Sequence, residues 1–276
     1  MIESPGDILR RHGLWARKQW GQNFLHDPHV LSSIVAATGA GPDTTLIEIG
    51  AGVGTLTAHL LETGARVHAI ERDRDMCEVL RKELGDQERF TLHEADAVKF
   101  DYTSIAPGER IPIVGNLPYH LTGPLLFALH DVDAETGRWV VMVQREVAQR
   151  MCASPGTKQY GGLTVALGRI RDIHWVVDVS RGAFLPPPRV DSAVVALDPR
   201  PAPRGEVADP QGYLQLVRRA FQQRRKTLLN SLSAIGDRER ARAWCAAAGI
   251  DPGIRPERLT PEQFAALQRA REAEDA

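Results

Sequence analysis

Between Leu46 and Leu197 short β-rich runs alternate with segments of helical periodicity, and few architectures accept that alternation. It is the pattern of a mostly parallel sheet with helices on its faces, an α/β fold. The spacing predicts strands at Leu46 to Ile49, Arg66 to Glu71, Phe90 to His93, Ile111 to Val114, Trp139 to Gln144, Ile173 to Val179 and Asp191 to Leu197, with crossover helices between them. A helix is predicted before the first strand, over Asp27 to Thr38, with Asp27 as N-cap and Pro28 at the first helical position. The stretch LDPRPAPRG, from Leu197 to Gly205, concentrates proline and glycine after the last strand, so a boundary is expected near Arg200. Beyond it the runs Gln211 to Phe221, Lys226 to Ile235, Arg238 to Ala248 and Pro261 to Ala273 carry helical spacing and no strand signal. The 276 residues thus divide into an α/β domain with a basic N-terminal segment, residues 1–199, and a small all-helical domain, residues 200–276.

The first predicted strand runs straight into glycines: LIEIGAGVGTLT, from Leu46 to Thr57, places Gly50, Gly52 and Gly54 at alternate positions before a helix start. Glycines there allow a tight turn and close backbone approach to a ligand at the carboxyl end of the strand. Glu71 closes the second strand about twenty residues later, where an acidic side chain can accept both hydroxyls of a ribose. A dinucleotide would also use that acid, but its pyrophosphate favours GxGxxG, and this chain has GxGxG. The third strand leads into Glu94, Ala95, Asp96 and Ala97, which puts Asp96 where it can accept a hydrogen bond from an adenine amine. Gly50, Glu71 and Asp96 at successive strand ends form a converging site. The series resembles that of class I methyltransferases, which have a Rossmann-like fold, and the resemblance implies S-adenosylmethionine as cofactor.

The fourth strand ends in Val114-Gly115-Asn116-Leu117-Pro118-Tyr119-His120. The tetrapeptide NLPY resembles the target-amine motif of N6-adenine methyltransferases. An adenine amine is a poor nucleophile because its lone pair is delocalised into the ring. The Asn116 side-chain oxygen and a backbone carbonyl near Leu117 can hold the two N–H groups and favour a more pyramidal nitrogen. Pro118 fixes the turn, and Tyr119 offers a ring on which an extruded base can stack. The amine carries its own protons and becomes acidic only after attack, so a strong general base is unnecessary.

The net charge of −1 gives no sign of a polyanionic partner, so any case for one rests on local clusters. Between Pro210 and Gly236 the chain carries Arg218, Arg219, Arg224, Arg225 and Lys226 with no acidic residue, a face suited to tracking phosphates. Arg10, Arg11, Arg17 and Lys18 form a second basic cluster, with Trp15 and Trp20 interleaved. GTKQYGG, Gly156 to Gly162, reads as a mobile loop near the target pocket. Cys77, Cys152 and Cys245 are far apart and form no CxxC pair, which argues against a zinc site or a disulfide framework. The N-terminus lacks the apolar region of a signal peptide and no stretch approaches the roughly 18 apolar residues of a membrane span. A soluble cytoplasmic protein without a metal is expected.

Five segments together, Gln22 to Leu25, Ile47 to Gly52, Asn116 to Tyr119, Phe184 to Ala193 (FLPPPRVDSA) and Arg224 to Leu228 (RRKTL), resemble the ribosomal RNA adenine dimethyltransferase family, over essentially the whole chain. The resemblance implies that Asn23, Leu25, Gly50, Gly52, Glu71, Asp96 and Asn116 contact S-adenosylmethionine. It further implies that Phe184 faces Tyr119 across the target base, and that Asn116, Leu117 and Pro118 shape the transfer site. The implied substrate is a pair of adjacent adenosines in the 3'-terminal hairpin of 16S rRNA, methylated twice each within a preformed small ribosomal subunit; separately, a monomer is expected. Departures from the family pattern are Ala51 for a frequent proline, and Gly162 and Leu229 where arginines are common, the latter two removing charge from expected RNA-facing regions. A related class methylates one large-subunit adenosine and confers macrolide resistance; it more often reads NIPY, so Leu117 and PPPRVDSA favour the small subunit. A non-catalytic RNA-binding assembly factor would not need every cofactor position filled. An NAD oxidoreductase would have GxGxxG and no NLPY.

Overall fold

A computed structural model of the chain describes residues 3–17, 21–223 and 225–275. The N-terminal helix α1 (Pro5–Arg11) begins where the Ser4 side chain accepts the Asp7 N–H, and the two-residue strand β1 (Phe24–Leu25) follows. Helix α2 (Pro28–Thr38) starts as expected: Asp27 accepts the N–H groups of His29 and Val30, and Pro28 occupies the first turn. Then come β2 (Thr45–Ile49), α3 (Thr55–Glu62), β3 (Arg66–Glu71), α4 (Arg74–Leu84), β4 (Phe90–Glu94), β5 (Ile111–Asn116), α5 (Thr122–Asp131) and β6 (Thr136–Gln144). The remaining elements are α6 (Arg145–Met151), α7 (Gly162–Ile170), β7 (Arg171–Val179), β8 (Phe184–Leu185), β9 (Ser192–Pro199), α8 (Pro210–Gln222), α9 (Leu228–Leu232), α10 (Arg238–Ala247) and α11 (Pro261–Asp275).

The main sheet has the strand order β4-β3-β2-β5-β6-β9-β7. Neighbours from β4 to β6 run parallel, and β9 lies antiparallel to β6. The central strands are buried on both faces, which is why β2, β5 and β6 read as almost unbroken apolar runs. From β2 the chain winds first towards β3 and β4, then returns to β5 on the other side. The order therefore reverses between β2 and β5, and a crevice outside the carboxyl ends of strands opens at such a switch point.

Two compact units result: Met1–Ala148 with His174–Pro199, and Gln149–Ile173 with Arg200–Ala276. The second is thus larger than residues 200–276. Tyr160 and Val165 belong to its apolar core with Tyr213, Leu216, Leu228, Trp244 and Phe264, and the Tyr160 hydroxyl donates to the Leu259 carbonyl at 2.7 Å. The segment GTKQYGG is accordingly pinned, with Gly156 N–H on the Glu257 carbonyl at 2.7 Å. Its glycines suggest mobility, but the buried tyrosine anchors it. Two departures from the family pattern fall in or beside this core. Leu229 is buried in this core, and Gly162 opens α7 with Val217 and Phe221 beside it.

Candidate active site

The carboxyl ends of β2, β3 and β5 face one cavity of about 760 Å³. Beyond β2, Gly50 and Gly52 hold φ angles of +73° and +57°, which L side chains rarely adopt. A Cβ at Gly52 would lie 3.0 Å from the Phe24 ring, so the backbone of this turn is bare where the N-terminal segment lies on it. That segment is fastened across the strand ends. Gln22 donates to Asp73 at 2.7 Å and accepts the Arg17 N–H at 2.8 Å, while the Arg17 guanidinium pairs with Asp75. The β1–β8 ladder sets Phe24 against Leu185 and Leu25 against Phe184, which explains why two motifs so distant in sequence belong to one site.

Glu71 accepts three backbone N–H groups: Gly52 at 2.9 Å, and Arg72 and Asp73 at 2.8 Å each. A carboxylate offers about four acceptor positions, so about one remains for a hydroxyl in the cavity. Burial pushes the Glu71 carboxyl above its ordinary pKa, and the three donors work against that shift. Glu48 reaches the same cavity from the middle of the sheet. It is 2% exposed, and its Oε2 has no hydrogen-bond partner among the described residues. Burial pushes its carboxyl up to about 7; the neighbouring Thr57 hydroxyl opposes this and the Glu71 charge adds to it.

On the opposite wall, Asn116 ends β5 and its Nδ2 donates to the Asn23 carbonyl at 2.9 Å. The nitrogen is thereby engaged, and the oxygen keeps its capacity to accept. The Leu117 N–H is held by the Met142 carbonyl at 3.1 Å, which fixes the turn before Pro118. The hydroxyls of Tyr119 and Ser192 share a hydrogen bond of 2.6 Å, so the half-buried Tyr119 ring is tethered at its far end. Burial raises the Tyr119 pKa, with Ser192 opposing, and the phenol stays protonated at neutral pH.

Asn23, Leu25, Gly50, Gly52, Glu71, Asn116, Leu117, Pro118 and Tyr119 all line this one cavity. Asp96 and Phe184 do not. The Asp96 oxygens are engaged by the Val98 N–H at 3.1 Å and by the exposed Arg72 guanidinium at 3.2 Å. Phe184 is 1% exposed and belongs to the apolar core with Leu25, Val179, Ala183 and Val194. Glu48, Thr55 and Phe24 line the cavity without having been predicted to. The signal for Glu48 was available: it is the one acid in an otherwise apolar strand, LIEI.

In the second unit Arg218, Arg219, Arg225 and Lys226 are exposed on and just after α8, with no carboxylate partner among the described residues; Arg224 lies outside the described residues. The N-terminal cluster differs. Arg10 pairs with Asp7, Arg11 with Glu3 at 2.5 Å and Glu83 at 2.7 Å, and Arg17 with Asp75, so its positive charge is largely compensated. Lys18 and Trp20 lie outside the described residues. No described helix is long and apolar enough to cross a membrane.

Comparison with known proteins agrees with this geometry. The sequence profile of the family described as Ribosomal RNA adenine dimethylase matches residues 13–271. The chain is 48% identical to Ribosomal RNA small subunit methyltransferase A of Anaeromyxobacter sp. (strain K), covering 96% of this chain and 97% of the relative. Among solved structures it is similar to a dimethyladenosine transferase from Plasmodium falciparum, with a TM-score of 0.70 and 26% identity over 88% of this chain and 95% of that one. It is also similar to the 23S rRNA methyltransferase ErmE, with a TM-score of 0.67 and 28% identity over 90% of this chain and 99% of that one.

Proposed function

The chain belongs to the ribosomal RNA adenine dimethylase family, whose enzymes use S-adenosylmethionine, and from that premise we propose that it dimethylates N6 of two adjacent adenosines in the 3'-terminal hairpin of 16S rRNA. It does so on a preformed small ribosomal subunit, as a monomer in the cytoplasm. The observation that carries this reading is the meeting of the glycine turn, Glu71 and the Asn116–Tyr119 turn on one cavity.

The residues fit the cofactor. Gly50 and Gly52 line the cavity with backbone, the remaining acceptor position of Glu71 takes a ribose hydroxyl, and Asn23 and Leu25 close the wall. Asp96 takes the cofactor adenine amine when the exposed Arg72 yields its oxygen, an exchange that costs little because surface ion pairs are weak. Bound there, S-adenosylmethionine supplies an electrophilic methyl group. Asn116 and a carbonyl of the Leu117–Pro118 turn hold the target amine and help localise its lone pair. Tyr119 stacks on the flipped base, which returns about 1–3 kcal/mol of the few kcal/mol that flipping costs. Phe184 acts from behind, by fixing Leu25 through the β1–β8 ladder. The proton leaves for water after attack. Arg218, Arg219, Arg225 and Lys226, with Arg224, track phosphates of the particle and set register without taking part in transfer.

The test is a transfer assay with labelled S-adenosylmethionine and separated, unmethylated small and large subunits. Label is expected in small-subunit RNA. Transfer to large-subunit RNA in its place would overturn the assignment.

A further inference from the structure

The chemistry above leaves Glu48 without a task, although burying it is costly. It sits in β2 between Ala69 of β3 and Val114 of β5, its register partners, and neither can compensate a charge. From α3, the buried Thr57 hydroxyl lies beside it and Thr55 lines the same cavity, and among the described residues the Thr55 hydroxyl is itself buried without a partner. The charged group acting on it is Glu71, of like sign. An ionised carboxylate in this position has lost its hydration and gained no compensating donor at Oε2. The missing partner is a cation, and the cavity that Glu48 lines lets one arrive without rebuilding the sheet.

We propose that Glu48 senses the charge of the ligand in this cavity: its carboxyl holds a proton when no cation is present, releases it to solvent when S-adenosylmethionine enters, and takes one back when methyl transfer leaves the uncharged thioether. The inference rests on S-adenosylmethionine being the cofactor. No bond forms to the ligand; a carboxylic acid becomes a carboxylate and the buffer takes the proton. Cofactor and product both carry an ammonium and a carboxylate, so the sulfonium charge alone separates them. An ionised Glu48 therefore favours cofactor over product. That preference assists exchange of spent product for fresh cofactor between the successive methylations of one adenosine. The raised carboxyl pKa, about 7, places the transition near neutral pH.

The full chain is titrated calorimetrically with S-adenosylmethionine, and separately with S-adenosylhomocysteine, in pairs of buffers that differ in ionisation enthalpy. Release of about half a proton per cofactor is expected at pH 7, rising towards one at pH 6 and vanishing near pH 8, with little release for the product. Glu48→Gln should abolish the release and narrow the preference for cofactor over product at pH 7 by roughly 50-fold, the coupling that a fall of about two pKa units on binding implies. Cofactor binding without proton release at pH 6 and 7 overturns the proposal on the unaltered protein, whether or not the variant folds. Release that survives Glu48→Gln also overturns it, because the proton then comes from elsewhere, Glu71 being the other raised carboxyl at the site. Absence of cofactor binding would remove the cofactor assignment first, and the proposal with it.

Discussion

Replacing Glu71 by glutamine separates two duties that meet in one carboxylate. Three of its acceptor positions are taken by the N–H groups of Gly52, Arg72 and Asp73. Those bonds tie the glycine turn after β2 to the turn after β3. A carboxamide has one oxygen, so in either orientation its NH2 group confronts at least one of these N–H donors. A buried donor left without a partner costs about 1–3 kcal/mol, which for a unit of this size lowers Tm by roughly 2–10 °C. If the oxygen stays with Arg72 and Asp73, where two bonds are kept, the lost position is the one open to a ribose hydroxyl. Affinity for S-adenosylmethionine then falls by a similar 1–3 kcal/mol, about 5- to 150-fold in Kd. Glu71→Ala removes all three acceptor bonds and should be worse on both counts. Calorimetric titration of the variant, alongside a thermal melt without cofactor, reads the two effects independently. A lowered Tm with Kd unchanged within twofold would refute the reasoning: Glu71 would then hold the turns together and touch no ligand.

Tyr119→Ala should lower methylation strongly while leaving cofactor affinity nearly intact, and should accumulate monomethyladenosine, because after the first transfer the amine keeps one N–H and relies more on stacking; an unchanged dimethyl-to-monomethyl ratio in mass spectra of digested RNA counts against the stacking role. Phe184→Ala, by contrast, empties a core position and should cost about 3–5 kcal/mol of folding stability by denaturant titration. A stable Phe184→Ala protein with the Tyr119→Ala product pattern would restore the two-ring sandwich. Replacing Arg218, Arg219, Arg225 and Lys226 by alanine should weaken subunit binding, less so at high salt, and spare cofactor affinity; binding equal to the unaltered protein at every salt concentration makes the cluster an ordinary solvated face. For Glu48 the folded pKa, about 7, lies above the ordinary value of 4.5. Its contribution to stability is therefore full below pH 4.5 and is lost as pH rises towards 7, about 3 kcal/mol in all. Without cofactor, Glu48→Gln should remove that decline, and parallel pH profiles for the two proteins would contradict it.

How much was legible in the sequence depended on whether the cause was local. Strand β3 has the predicted ends, Arg66 and Glu71, because Val67, Ala69 and Ile70 supply a short buried pattern between the turn residues Gly64 and Asp73. Strand β5 runs two residues beyond its predicted end at Val114: Gly115 and Asn116 have little strand preference, but pairing with Val141 and Met142 of β6 holds them in the ladder. The two-residue strands β1 and β8 are too short for any periodicity, and only the fold brings them together. The same reason governs the site. Gly50, Glu71 and Asn116 stand at the ends of predictable strands, so their convergence followed from the alternation of elements. The inward turn of Phe184 and the pairing of Arg72 with Asp96 depend on tertiary neighbours. Neutralisation of the N-terminal arginines by Glu83 and Asp75, distant in sequence, was likewise invisible to charge counting.

If one cavity presents cofactor and target amine to each other, N6 of two neighbouring adenosines is methylated twice. The decisive measurement runs the reaction to completion on unmethylated small subunits, digests the RNA and sequences the fragments by mass. N6,N6-dimethyladenosine is expected at two adjacent positions of the 3'-terminal hairpin, and none when Asn116→Ala replaces the unaltered protein. Methylation that stops at one methyl per adenosine, falls outside that hairpin, or persists in Asn116→Ala would contradict that expectation.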